Sequence, residues 1–121
     1  MSLPLSFVLL VLAVHWIGDY LFQTNAIADH KGKSLLWLGL HVLIYSLTLI
    51  VFAFFVFTWQ KAFQYVLING VFHFITDLLT SKLHSRFRNN PRIFYPVMGF
   101  DQLIHTVTLV STGSMLLVSS S

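Results

Sequence analysis

A chain of 121 residues that is 56% hydrophobic and only 9% charged is no ordinary soluble domain, in which about a quarter of the residues carry charge. It has no cysteine, which excludes disulfides, thiolate metal ligands and iron–sulfur clusters. The formal net charge of +3 comes from seven Lys and Arg against four acidic residues, all of them Asp; in so apolar a chain this imbalance concerns membrane topology, and nucleic acid is not an expected partner.

Four apolar runs predict helices over about residues 3–23, 35–57, 62–82 and 97–118. Each is long enough to cross a hydrocarbon core of about 30 Å, which takes roughly 20 helical residues. The expected fold is an all-α integral membrane protein, one transmembrane domain over residues 1–121 built as a four-helix bundle. The first run carries His15, Gly18, Asp19 and Gln23, and a polar loop with Asp29, His30, Lys31 and Lys33 follows. Ala26-Ile27-Ala28 has the form of a signal-peptide cleavage site, but the basic segment that opens such peptides is missing. The second run offers His41, Tyr45 and Thr48. Its far end holds Phe52, Phe54, Phe55 and Phe57, read as lipid-facing packing, before a turn expected around Trp59, Gln60 and Lys61. The third run places Asn69, His73, Thr76, Asp77 and Thr80 on one face, and a basic loop with His84, Arg86, Arg88 and Arg92 is expected after it. Pro91 and Pro96 bracket the expected start of the fourth run, which carries Asp101, His105, Thr108 and Thr112.

Six of the seven basic residues fall in the first and third loops or at their borders, leaving Lys61 alone on the other side. The positive-inside rule then places both termini outside the cytoplasm, and membrane lipid is the expected partner. With those boundaries, His15, Asp19, His41, His73, Asp77, Asp101 and His105 all lie between about 6 and about 13 Å from the cytoplasmic helix ends. Helices running alternately up and down have no local reason to agree in this way. Each polar stripe must face the other helices, because an ionisable group turned to acyl chains costs several kcal/mol.

His15 and Asp19, and again His73 and Asp77, are spaced four apart, which puts both members of a pair on one helix face; Asp101 and His105 repeat the spacing in reverse. Two pseudo-repeated helical hairpins are the natural reading, with Asp101 the member that has no counterpart in the second run. Imidazole and carboxylate are ligands of Zn, Mn and Fe, and four His with three Asp exceed the needs of one tetrahedral ion, so two ions are plausible. The seven residues are the expected metal ligands, and Asp101 doubles as bridging ligand or general base. Gln23, Lys33, Lys82 and Gln102 form an expected substrate rim able to hold a phosphate or carboxylate. His30 and His84, in the basic loops, are read as solvated or lipid-headgroup contacts and not as ligands.

His15-Trp-Ile-Gly-Asp19-Tyr-Leu-Phe-Gln23, Lys33, His41, His73-x-x-x-Asp77 and Phe100-Asp101-Gln102-x-x-His105 resemble an uncharacterised family of small bacterial integral membrane proteins, a domain of unknown function. The resemblance covers nearly the whole chain and implies an inner-membrane protein of bacterial or phage origin, without an established activity. At the level of motif alone the chain is also similar to membrane-bound metal-dependent hydrolases. The function expected is metal-dependent hydrolysis of a lipid or phosphate-containing substrate at the cytoplasmic membrane face. The competing readings are a divalent-cation or proton transporter or channel, a haem-binding bundle and a purely structural polar network. A homo-oligomer stays open, since a second copy could complete an ion path that one chain does not show.

Overall fold

The computed structural model describes residues 4–21 and 34–118. Its helices are α1 (Leu5–Trp16, continued by a π turn over Ile17–Leu21), α2 (Leu35–Val56), α3 (Trp59–Arg86) and α4 (Pro91–Val118). Three of them, α2, α3 and α4, are long and apolar enough to cross a membrane; α1 is apolar but shorter. Among the described residues there is no strand.

The ends of the helices follow from local chemistry. Pro4 caps α1, and its carbonyl accepts from the amides of Phe7 and Val8. Ser34 caps α2 through its hydroxyl, which accepts from the Leu36 amide at 3.3 Å. At the far end Phe57 and Thr58 are extended, and this two-residue break turns the chain. Trp59, Gln60 and Lys61, expected in the turn, instead form the first turn of α3. The predicted boundaries of the last two helices were too short. The third helix runs on to Arg86, and the fourth starts at Pro91, a residue suited to the first helical position because its missing N–H would be unpaired there anyway. Pro96 lies inside α4 and costs it a single backbone bond so near the start; reading it as a boundary gave the ring too much weight.

These longer helices change the expected depths. Asp77 lies nine residues before the end of α3, about 14 Å, and Asp101 ten residues after the start of α4, about 15 Å. His41 is only six residues into α2, about 9 Å. The α3–α4 hairpin therefore extends about one helical turn beyond the start of α2, and this overhang carries Arg86, Arg88 and Arg92. His84 is not a loop residue: it is half-buried on α3 with its ring stacked on Phe94 at 4.7 Å.

Helix α2 packs between α1 and α3, and α4 between α3 and α1, so the four helices close a ring. Burial repeats along it. Phe7, Val11, His15 and Asp19 of α1 are buried at the same four-residue spacing as Tyr65, Asn69, His73 and Asp77 of α3; His41, Tyr45 and Leu49 of α2 match His105, Leu109 and Gly113 of α4. The interior is divided by depth. One end is apolar, with Phe7, Leu49, Phe52, Phe57, Tyr65 and Leu109 in a single cluster, and the other holds the histidines and aspartates. Phe52 and Phe57 were expected to face lipid and do not: Phe7 meets their rings at 5.9 and 6.1 Å. Phe54 and Phe55 remain on the outside, 50% and 89% exposed. Helix phase separates Phe52 from Phe54 and Phe55, because α2 buries only the face that meets α1 and α3, while Phe57, extended beyond the end of α2, is buried in the break before α3.

Gly113 makes room for Phe7. A Cβ there would stand 2.5 Å from the ring's Cζ, and the ring is hemmed in by Phe52 and Phe57. Gly113→Ala is expected to cost about 1–3 kcal/mol through overpacking, read as a lowered midpoint of thermal unfolding in detergent. Phe7→Leu in the same chain should recover most of the loss; a second variant no more stable than the first would place the strain elsewhere.

Candidate metal centre

All four helices contribute to the polar end. Asp19 sits in the π turn, where the i→i+5 bonding widens the helix and shifts the phase of the residues that follow; such turns are common at functional sites. Gly18, within the same turn, lets α1 close on α2, since a Cβ would lie 3.2 Å from the Tyr45 ring. Thereby the Asp19 carboxylate reaches the middle of the bundle, 3% exposed.

Four side chains from three helices converge. His41 Nε2 lies 3.0 Å from Asp19 Oδ1, 3.1 Å from Asp77 Oδ2 and 3.1 Å from His73 Nε2. His73 Nε2 is in turn 3.2 Å from Asp77 Oδ2 and 3.5 Å from Asp19 Oδ1. A neutral imidazole has one N–H, which cannot serve all these neighbours. These five distances, 3.0–3.5 Å, are close to the edges of a tetrahedral ligand set. For ligand bonds of about 2.0–2.1 Å, as zinc makes with imidazole nitrogen and carboxylate oxygen, the edges are about 3.3–3.4 Å. The two imidazole nitrogens and two carboxylate oxygens fit a divalent cation in both chemistry and spacing.

A second group, Asp19, Asp101 and His105, has ligand atoms within 4.8 Å of one another. His105 Nε2 lies 3.0 Å from Asp77 Oδ1 and 3.3 Å from Asp101 Oδ2. Asp77 thus turns one oxygen to His41 and His73 and the other to His105. Asp19 divides likewise, with Oδ1 on His41 and Oδ2 accepting from Gln102 Nε2 at 3.2 Å. Gln102 was expected on a rim and stands inside the network: it also donates to Asp101 Oδ2 at 3.0 Å. Its Oε1 lies 2.9 Å from His15 Nε2.

His15 stands beside the two ligand groups and belongs to neither. With Gln102 oriented by its two carboxylate contacts, His15 Nε2–H donates to Oε1, and Nδ1 accepts from the Tyr45 hydroxyl at 3.3 Å. The other six expected ligands come together. Lys82 is exposed on α3, and Gln23, Lys33 and His30 lie outside the described residues.

Two residues noticed in the sequence only as part of polar stripes hold site groups in place. Tyr45 stacks on His73 at 4.1 Å while His105 covers its other face at 3.9 Å, so the ring is clamped. Thr80 Oγ1 donates to Asp101 Oδ1 at 2.6 Å. Their sequence signal was position, one turn from His41 and from Asp77 respectively. His73 Nδ1 and Asn69 Oδ1, neighbours on one face of α3, have no hydrogen-bond partner among the described residues. They are a donor and an acceptor that one buried water can satisfy together.

Fold and site together define a helical bundle with candidate membrane helices and a buried His/Asp cluster able to hold a metal ion. The model of a family described as protein of unknown function, DUF3307, matches residues 7–121, and the chain belongs to that family. No curated protein and no solved structure matches it.

Proposed function

We propose that this chain is a four-helix membrane protein made of two related hairpins, and that its His/Asp centre carries out metal-dependent hydrolysis of a lipid or phosphate-containing substrate at the cytoplasmic face. The observation that carries the reading is the near-tetrahedral convergence of His41, His73, Asp19 and Asp77. Lone-pair donors are brought to ligand spacing there from three helices, with both carboxylates extended toward a second group. When bound, a divalent cation supplies the positive charge that polarises an ester or phosphate and makes water a nucleophile at neutral pH.

The chain's own residues do the rest. Asp101, at the margin of the second group, takes up the proton of the attacking water. Thr80 and Gln102 hold its two oxygens in register, and Tyr45 and His105 keep His73 from turning. Asp19 and Asp77, each facing two sets of partners, offset cationic charge in a site without bulk water.

A transporter would need a polar path onward from the site. The hydroxyls beyond it turn back onto their own helices instead: Thr48 donates to the Ile44 carbonyl, Thr108 to Ile104 and Thr112 to Thr108. Between them the core is filled by Phe7, Leu49, Tyr65 and Leu109. This apolar plug favours the enzyme over the transporter. The deciding measurement pairs metal flux in proteoliposomes with phosphate or acyl release from a lipid-extract panel. Flux without any release would overturn the assignment.

The outward termini are tested separately. A single cysteine placed at Ser120, in a chain with none of its own, is expected to react with a membrane-impermeant maleimide from outside the cytoplasm. Labelling only after the membrane is opened would reverse the topology.

A further inference from the structure

On the outer side of the α3–α4 hairpin, away from the bundle interior, lies a groove of about 760 Å³. Leu79 and Leu83 of α3 face Val97, Phe100 and Ile104 of α4 across it. Between Arg92 and Ile104 the α4 wall is about 18 Å long, enough for a large part of an acyl chain. Two polar residues give this groove an address. Arg92 lines its outer end, on the overhang that also bears the exposed Arg86 and Arg88 with the exposed Lys82 just below it on α3, and the sequence has no acidic residue between Asp77 and Asp101. Thr80 lines its wall, and the same hydroxyl donates to Asp101.

We propose that the groove is a binding site for an anionic phospholipid, with the phosphate on Arg92 and one acyl chain lying against Thr80. The basic overhang is the complement of a negatively charged head group at the membrane surface, and the apolar walls are the complement of its chain. Because Thr80 belongs both to the groove and to the hydrogen bond that orients Asp101, the bound lipid touches the catalytic centre without entering it. Lipid occupancy and metal binding are separate properties, so either can fail alone.

The molecule contains its own control. A second groove, of about 560 Å³ between α2 and α3, is lined by Gly39, Leu43, Ser46, Leu67, Gly70 and Phe74 among others, with no charged residue in its walls. It can take an acyl chain but has nothing to select a head group.

The test reconstitutes the full chain in phosphatidylcholine nanodiscs with a trace of phosphatidylglycerol or phosphatidylcholine carrying a photoactivatable diazirine midway along one chain. Adducts are mapped by mass spectrometry. In the wild type, the anionic probe is expected to label residues 97–104 about fivefold more than the neutral one, the effect of one basic side chain on an anionic lipid. Residues 67–71 of the α2–α3 groove should take both probes equally. Arg92→Gln should bring the anionic probe down to the level of the neutral one at residues 97–104 and leave labelling of residues 67–71 unchanged, with chelator making no difference. Equal labelling by the two probes in the α3–α4 groove, or an excess that survives Arg92→Gln, would overturn the site and leave only unselective boundary lipid. The wild-type comparison decides even if the variant fails to fold.

Discussion

Asp77→Asn is expected to abolish metal binding while leaving the bundle assembled. Asp77 uses both of its oxygens: one meets His41 at 3.1 Å and His73 at 3.2 Å, and the other meets His105 at 3.0 Å. Asparagine keeps the shape but removes the charge and replaces one oxygen with a donor that no cation accepts. The affinity loss should exceed the 10–100-fold typical when only a supporting partner of a ligand is removed. Protein purified after growth in metal-supplemented medium should carry about one or two equivalents of ion in the wild type and almost none in the variant, by elemental analysis. His15→Ala gives the contrast, since both its nitrogens are occupied by Gln102 and Tyr45 outside the two ligand groups; it should retain its metal. Wild type and Asp77→Asn both purified without metal would remove the metal reading and leave a hydrogen-bonded network, equal loading of the two would place the ion elsewhere, and an ion lost equally in both variants would make His15 part of the ligand set. Breaking one side of a buried charged cluster typically destabilises by about 3–5 kcal/mol, so each variant needs its helical circular dichroism and elution volume beside the metal count.

The parts of this centre that were legible in the sequence are those governed by short-range geometry. Four-residue spacing placed His73 above Asp77 and Asp101 above His105 before any tertiary contact was known, because one helical face is all the argument requires. Hydropathy marked the apolar runs for the same reason. What escaped depends on contacts between helices or on helix phase. Nothing in Trp16-Ile17-Gly18-Asp19 announces a π turn, yet that turn carries Asp19 into the centre while His15, four residues earlier, is left facing Gln102. Gln102, expected on the substrate rim from a helix beginning near residue 97, lies about three turns inside α4 because that helix begins at Pro91. Phe52 and Phe57 were indistinguishable from Phe54 and Phe55 by composition. The direction in which α2 meets its neighbours divides Phe52 from Phe54 and Phe55, and the extended break after Val56 holds Phe57 in the core.

Asp101→Asn is the variant expected to separate chemistry from binding. Asp101 is held from both sides, Oδ1 by Thr80 at 2.6 Å and Oδ2 by Gln102 at 3.0 Å, and it takes no part in the four-residue group formed by Asp19, His41, His73 and Asp77. A carboxylate so fixed at the edge of a cation site is placed to accept a proton in one direction only. Removing a positioned general base usually costs about 10²–10⁴-fold in rate. Under the proposed hydrolysis of a lipid or phosphate ester, Asp101→Asn should therefore lose turnover by about that factor, while an ion held by the four-residue group stays bound. Thr80→Val, which removes the hydroxyl but keeps the shape, should cost less, because Gln102 still holds the other oxygen. If the metal departs together with the activity in Asp101→Asn, the residue is a ligand and the base must be sought elsewhere. If activity survives with metal intact, Asp101 has no part in the proton transfer, and hydrolysis would have to proceed from Asp19 or Asp77, the two carboxylates that already face both groups.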